Sequence, residues 1–138
     1  MREPAGARKP WSARLGAATG HVGKALGYSL RGLRTGMRLS LAFRQELMVL
    51  AVLGAALALG GKSPGQWLLC AGGWLLVMAA ELFNSALEET LDLITRDFSL
   101  AVQYAKDMAS AAVFLLMLVN AALWISVFGR DALDLAGI

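Results

Sequence analysis

Apolar and polar positions divide the chain into four blocks. In residues 21–41, at about 100° per residue, Val22, Leu26, Leu30, Leu33, Met37 and Leu41 share one side, and Lys24, Arg31, Arg34 and Arg38 share the other. This is the pattern of a helix lying in the membrane interface, its apolar face in the acyl boundary and its arginines toward head groups. Three apolar segments follow. The first runs from about Glu46 to Gly60 and needs flanking residues to reach the roughly 20 required to span a bilayer, which predicts a span at about 44–61. The second starts at Gln66 and loses its uniform apolar character at Glu81, but its helical pattern continues, predicting a span over 66–92. The third holds twenty-one residues without a charge, Met108 to Phe128, within a predicted span over 106–128. Trp67, Trp124 and Phe128 fall near segment ends, as interfacial anchors do. The expected fold is an all-α membrane protein with an N-terminal amphipathic surface helix and three transmembrane helices. Residues 1–20 mix Pro, Gly, Arg and Ala without periodicity and read as a disordered basic tail, and 129–138 read as a short C-terminal tail.

Composition agrees with a membrane environment. The 138 residues allow one domain, 57% are hydrophobic and only 17% are charged, fewer than a soluble domain of this size carries. Mean hydropathy is +0.57. These values disfavour the alternative of an amphipathic helix packed on a soluble core. The first 44 residues hold nine Lys or Arg and no early apolar run, so they do not resemble a signal peptide. A pI near 9.4 raises nucleic acid as a partner. The basic residues nevertheless gather ahead of the first span, where they suit an anionic membrane surface. Only Lys62 lies in the next loop, Arg96 and Lys106 lie between the second and third spans, and Arg130 follows the third. The positive-inside rule then puts the N-terminus and the 93–106 connection in the cytoplasm. Cys70 has no partner for an intrachain disulfide and says nothing of redox compartment.

The candidate chemistry lies on the second span. Glu81, Asn84, Glu88 and Asp92 occur at i, i+3, i+7 and i+11, one stripe within about 80° of helical arc. Carboxylates continuing a hydrophobic span cost roughly 2.5–3.5 kcal/mol at a helix centre, so they point to a cavity, a cation or a metal. The alternative is that the span ends at Ala80 and the stripe is a solvated face. Lys106 and Asp107 start the third span and can meet the stripe, and Glu46 opens the first. Lys106 alone reads as a snorkelling helix-end lysine. Taken together, carboxylates can hold Mg²⁺, another carboxylate in a less polar setting can act as general base toward an alcohol, and a lysine can balance phosphate charge. These are the parts that phosphoryl transfer needs. Gly61-Lys62-Ser63 imitates the end of a phosphate-binding loop, but Ala56 stands where its first Gly belongs and no strand precedes it.

Glu81-Leu82-Phe83-Asn84-Ser85-Ala86-Leu87-Glu88, then Asp92, and Ala105-Lys106-Asp107-Met108-Ala109-Ser110-Ala111-Ala112-Val113 resemble the signature of the prokaryotic diacylglycerol kinase family. Gly27-Tyr28-Ser29, Gly32-Leu33-Arg34 and Ala42-Phe43-Arg44-Gln45-Glu46 extend the resemblance over roughly residues 21–128. It implies a homotrimer in the bacterial inner membrane, with active sites between subunits at the cytoplasmic boundary. There the γ-phosphate of MgATP passes to a lipid alcohol. By the same resemblance Glu81 would be the general base, Asn84 would support the reacting groups and Glu88 would ligate Mg²⁺. Lys106 and Asp107 would contact the nucleotide with Tyr28 beside it, while Ser29, Leu30 and Ser110 would lie along the lipid. Two positions depart from the family pattern. Ser40 stands where a second metal-ligating Glu is usual, leaving Glu46, water or phosphate oxygens to compensate, and His21 replaces a frequent Arg.

Diacylglycerol is the expected acceptor, and Ser110-Ala111-Ala112 favours it over undecaprenol on the same scaffold. A small proton-coupled transporter would explain one buried Glu but not the stripe with Lys106 and Asp107. The Ser40 departure also admits a catalytically weakened relative.

Overall fold

The computed structural model describes the backbone of residues 11–95 and 97–136, and the side chains of 21–95 and 97–129. Its regular structure is helical throughout: α1 (Trp11–Leu39), α2 (Leu41–Leu59), α3 (Pro64–Ile94) and α4 (Leu100–Ala136). Two compact units divide between Thr35 and Gly36 and are described in turn.

In the first unit, α1 begins ten residues ahead of the amphipathic segment. Helical backbone thus covers 11–20, where Ala13, Arg14, Leu15, Ala17 and Ala18 are good helix formers despite the missing apolar period. The remainder of the expected basic tail, 1–10, lies outside the described residues. Val22, Leu26, Leu30 and Leu33 are all exposed, as an interfacial face requires.

The second unit is a bundle of three antiparallel helices with α3 at its centre, contacting both α2 and α4. Helices α2, α3 and the part of α4 up to Gly129 are each long and apolar enough to cross a membrane. Only 17% to 22% of the most apolar stretch of each span is buried within the chain. Leu57, Cys70 and Val127 form the buried core at one end, with Ala71, Trp124 and Phe128 packed against them. Trp124 and Phe128 stack with centroids 5.4 Å apart.

Helix breaks follow from local chemistry. Ser40 separates α1 from α2 as N-cap, its Oγ accepting from the Phe43 N–H at 3.1 Å. Between α2 and α3, Lys62 N–H reaches the Leu57 carbonyl and Gly61 N–H the Ala58 carbonyl, the paired bonds of a Schellman ending. Gly61 has φ +58°, which glycine adopts without a Cβ penalty. Ser63 then opens α3 through a capping box with Gln66, followed by Pro64 in the first turn. Gly61-Lys62-Ser63 is therefore a helix stop followed by a helix start. Helix α4 continues to Ala136, so helical backbone also covers most of the expected C-terminal tail.

Candidate active site

Helix α3 runs unbroken through Ala80 to Ile94, so the stripe belongs to one continuous helix. Glu81 is 7% exposed, and this burial rules out a stripe that is solvated along its whole length. Its Oε1 accepts from Ser40 Oγ at 3.0 Å and from Ser85 Oγ at 3.1 Å. The first donor comes from the start of α2 and the second from the next turn of α3, so two elements converge on one carboxylate oxygen. Glu46, one helical turn past Phe43 on α2, is 4% exposed, and both its carboxylate oxygens are buried without a hydrogen-bond partner. It lies within electrostatic reach of Glu81. Trp74 Nε1 donates to the Glu46 backbone carbonyl at 2.9 Å and ties α3 to α2 at this level.

Farther along α3 the stripe becomes wetter. Asn84 Nδ2 donates to Glu88 Oε1 at 3.2 Å, orienting that carboxylate, while Asn84 Oδ1 is buried without a partner. At the last turns Asp92 pairs with Lys106 Nζ at 2.5 Å, a link between α3 and α4. These charges border an open cavity of about 830 Å³ whose polar lining includes Glu89, Asp92, Asp97, Ser99, Lys106 and Asp107. The structure thus joins Lys106 to the stripe, as its place at the start of the third span suggested. Sequence reasoning missed the contribution of Glu89 and of the 95–99 connection. Thr95, Asp97 and Ser99 are the polar signal that connection carries, and Asp97 N–H folds it by donating to Thr95 Oγ1 at 3.1 Å.

The remaining candidates occupy simpler settings. Tyr28 is exposed on α1 with the Arg31 guanidinium 4.8 Å from its ring centroid. Ser29 Oγ donates to the Ala25 carbonyl of its own helix at 3.1 Å, and Leu30 is exposed. Ser110 is exposed on α4. His21 is exposed near the start of the amphipathic segment.

The donor set suits magnesium carried by a polyphosphate. Among the described residues no three His, Cys, Asp or Glu side chains group as a ready metal cage. Magnesium commonly takes one or two carboxylates and completes its octahedron with water and phosphate oxygens. Glu88, held through one oxygen by Asn84, meets that need. Ser40 does not stand in for a second carboxylate, because its hydroxyl is engaged by the Phe43 N–H and by Glu81.

Comparison with known proteins shows the family. The family model for prokaryotic diacylglycerol kinase matches residues 27–128. A diacylglycerol kinase of Haemophilus influenzae is 33% identical over 104 residues, covering 75% of this chain and 88% of that protein. One of Pseudomonas aeruginosa is 36% identical over 103 residues, covering 75% and 84%. One of Escherichia coli is 38% identical over 102 residues, covering 73% and 83%. The matched region takes in the later part of α1, α2, α3 and α4 as far as Phe128, with every carboxylate of the stripe inside it, and the chain belongs to the prokaryotic diacylglycerol kinase family.

Proposed function

We infer that the protein is a multi-pass membrane kinase that transfers the γ-phosphate of ATP to the free hydroxyl of diacylglycerol, giving phosphatidic acid. The observation that carries this reading is the buried Glu81 on a helix that begins as an apolar span. In this reading a lipid hydroxyl reaches that carboxylate from the bilayer, and the charged cavity lies farther along the same helix. The similar proteins named diacylglycerol kinase support that acceptor over undecaprenol. A proton-coupled transporter leaves the Lys106–Asp92 pair and the charged cavity without a role.

In this reading Glu81 takes the proton of the lipid hydroxyl as its oxygen attacks the terminal phosphorus, and ADP leaves. Glu88, oriented by Asn84, would hold the magnesium of MgATP, which would offset phosphate charge. Lys106 and Asp107 contact the nucleotide in the cavity, with Lys106 exchanging Asp92 for a phosphate oxygen. By the family resemblance Tyr28 would contact the nucleotide, and Ser29, Leu30 and Ser110 would contact the lipid. The N-terminus and the 93–106 connection face the cytosol, the source of ATP, at the bacterial inner membrane. This orientation is supported by the nine basic residues preceding the first span.

The test is phosphate transfer from labelled MgATP by purified protein in mixed micelles, with a panel of lipid alcohols. Diacylglycerol should be the preferred acceptor. Glu81→Gln should lower kcat by about two orders of magnitude or more while MgATP still binds. Glu88→Gln should weaken MgATP binding and raise the magnesium requirement. Near-normal turnover by Glu81→Gln would remove the proposed base, and preference for a polyprenol would reassign the substrate.

A further inference from the structure

We propose that Ser40 and Ser85 are positioning residues for Glu81, pinning its Oε1 so that Oε2 is the atom that receives the proton of the lipid hydroxyl. This rests on the reading of Glu81 as the general base.

Three observations carry the proposal. The first is convergence. Both hydroxyls donate to the same oxygen, at 3.0 Å and 3.1 Å, and among the described residues no donor reaches Oε2. The terminal torsion of a glutamate is broad and roughly two-fold, so an unheld carboxylate would present either oxygen. Two donors on one oxygen select one orientation.

The second is that the Ser40 hydroxyl is itself held. A hydroxyl has one proton to give and two lone pairs. One lone pair of Ser40 accepts the Phe43 N–H of the first turn of α2, and the proton goes to Glu81. Ser40 is 8% exposed, so water offers little competition for that proton. The helix start thereby aims the donor, and the carboxylate inherits the rigidity of the α2 N-terminus.

The third is the direction of Ser85. Hydroxyls within helices commonly bond back to a backbone carbonyl about one turn earlier. Ser29 does so toward Ala25, Thr90 toward Ala86 and Ser126 toward Leu123. Ser85 instead donates to the side chain one turn earlier, which is Glu81. Its hydroxyl serves the carboxylate rather than the helix.

The step balances without a further reactant. The O–H bond of the lipid alcohol breaks as the Oε2–H bond forms, and the freed oxygen pair bonds to the terminal phosphorus. The bond from that phosphorus to the bridging oxygen breaks, and ADP departs with its electron pair. The two serines neither gain nor lose a proton, and their part is to fix which oxygen faces the alcohol.

The experiment uses the full-length protein in detergent micelles with MgATP and dispersed diacylglycerol. It compares Ser85→Ala, Ser40→Gly, Ser40→Thr and Glu81→Gln by kcat, by KM for each substrate and by thermal unfolding. Glycine is tolerated at an N-cap, so Ser40→Gly removes the donor with little loss of capping. Ser85→Ala touches no cap and decides the matter should Ser40→Gly fold poorly. Ser85→Ala and Ser40→Gly should each lower kcat about tenfold or more, as expected when a catalytic group loses its alignment. KM for MgATP should stay within about twofold, and Ser40→Thr, which keeps the hydroxyl, should restore turnover. If Glu81→Gln is inactive while Ser85→Ala and Ser40→Gly turn over normally, the positioning role is overturned and the base survives. A rise in KM with unchanged kcat overturns it likewise. Turnover by Glu81→Gln removes the base and the proposal together.

Discussion

Ser40 shows how one residue changes the arithmetic of a site. Family resemblance places a metal-ligating carboxylate at this position, which makes Ser40→Glu look like a repair. The geometry says otherwise. A glutamate there has no proton to give Glu81, and its charge would enter a buried pocket that already holds Glu81 and the unpartnered carboxylate of Glu46. Like charges brought together out of water repel strongly. Ser40→Glu should therefore lower kcat by about tenfold or more at neutral pH, even though it offers magnesium another ligand. Turnover and apparent magnesium affinity measured in mixed micelles check this, and a gain in both would show that Ser40 merely replaces a lost ligand. Part of the site was legible from spacing alone, because Glu81, Asn84, Glu88 and Asp92 are neighbours on one helix face. The tie between Ser40 and Glu81 was not, since 41 residues separate them and no local pattern encodes which hydroxyl a distant helix will meet. The burial of Glu46 was hidden for the same reason.

Among the helices, α2 and α3 begin and end within three residues of the stretches expected at 44–61 and 66–92, whereas α4 begins six residues before and ends eight beyond the stretch expected at 106–128. At the start of α2 capping overrode hydropathy. Helix α2 starts at Leu41 rather than 44 because Ser40 caps it, and α4 starts at Leu100, well before the uncharged run. Hydropathy also gave no hint of how α3 meets α4. Asn120, 1% exposed within the uncharged stretch of α4, donates through Nδ2 to the Cys70 carbonyl at 3.4 Å. It can do so because Gly73 lets the two helices approach, and a Cβ added at Gly73 would collide with the Asn120 amide. Small residues serve this purpose between membrane helices, where packing and interhelical hydrogen bonds replace the hydrophobic drive. Gly73→Ala should destabilise the protein by about 1–3 kcal/mol, the usual cost of overpacking. Adding Asn120→Ala should recover part of that loss by making room. Thermal unfolding in detergent of the two single variants and the double variant measures it, and additive losses would mean the two residues do not meet.

At the scale of the molecule, the chain leaves a surface and a site that it does not complete alone. Each span buries little of itself, and large apolar side chains such as Leu68, Phe83, Phe114 and Ile125 stand exposed. Lipid can cover these. Lipid is a poor cover for the Glu81–Glu88 stripe, which lies on the same central helix and needs a polar or protein wall. Further copies of the chain can supply that wall, and closed symmetric assembly is the usual way identical subunits do so. A homotrimer with sites between subunits, the assembly the family resemblance implies, is the one we propose. Separation along α3 suggests how the parts divide. Glu81 and Asp92 are eleven residues apart, about 16 Å along the axis, and Lys106 is held at the Asp92 end. A phosphate contacted by Lys106 of one chain can therefore lie closer to Glu81 of a neighbour than to Glu81 of its own. Glu81→Gln and Lys106→Met chains, each inactive alone, should recover activity when unfolded, mixed in equal amounts and reassembled. If each site draws Glu81 from one subunit and Lys106 from the next, random assembly restores about a quarter of the sites. Assembly without recovery would place both groups in one subunit, and full activity in a monodisperse monomer would remove the need for neighbours altogether.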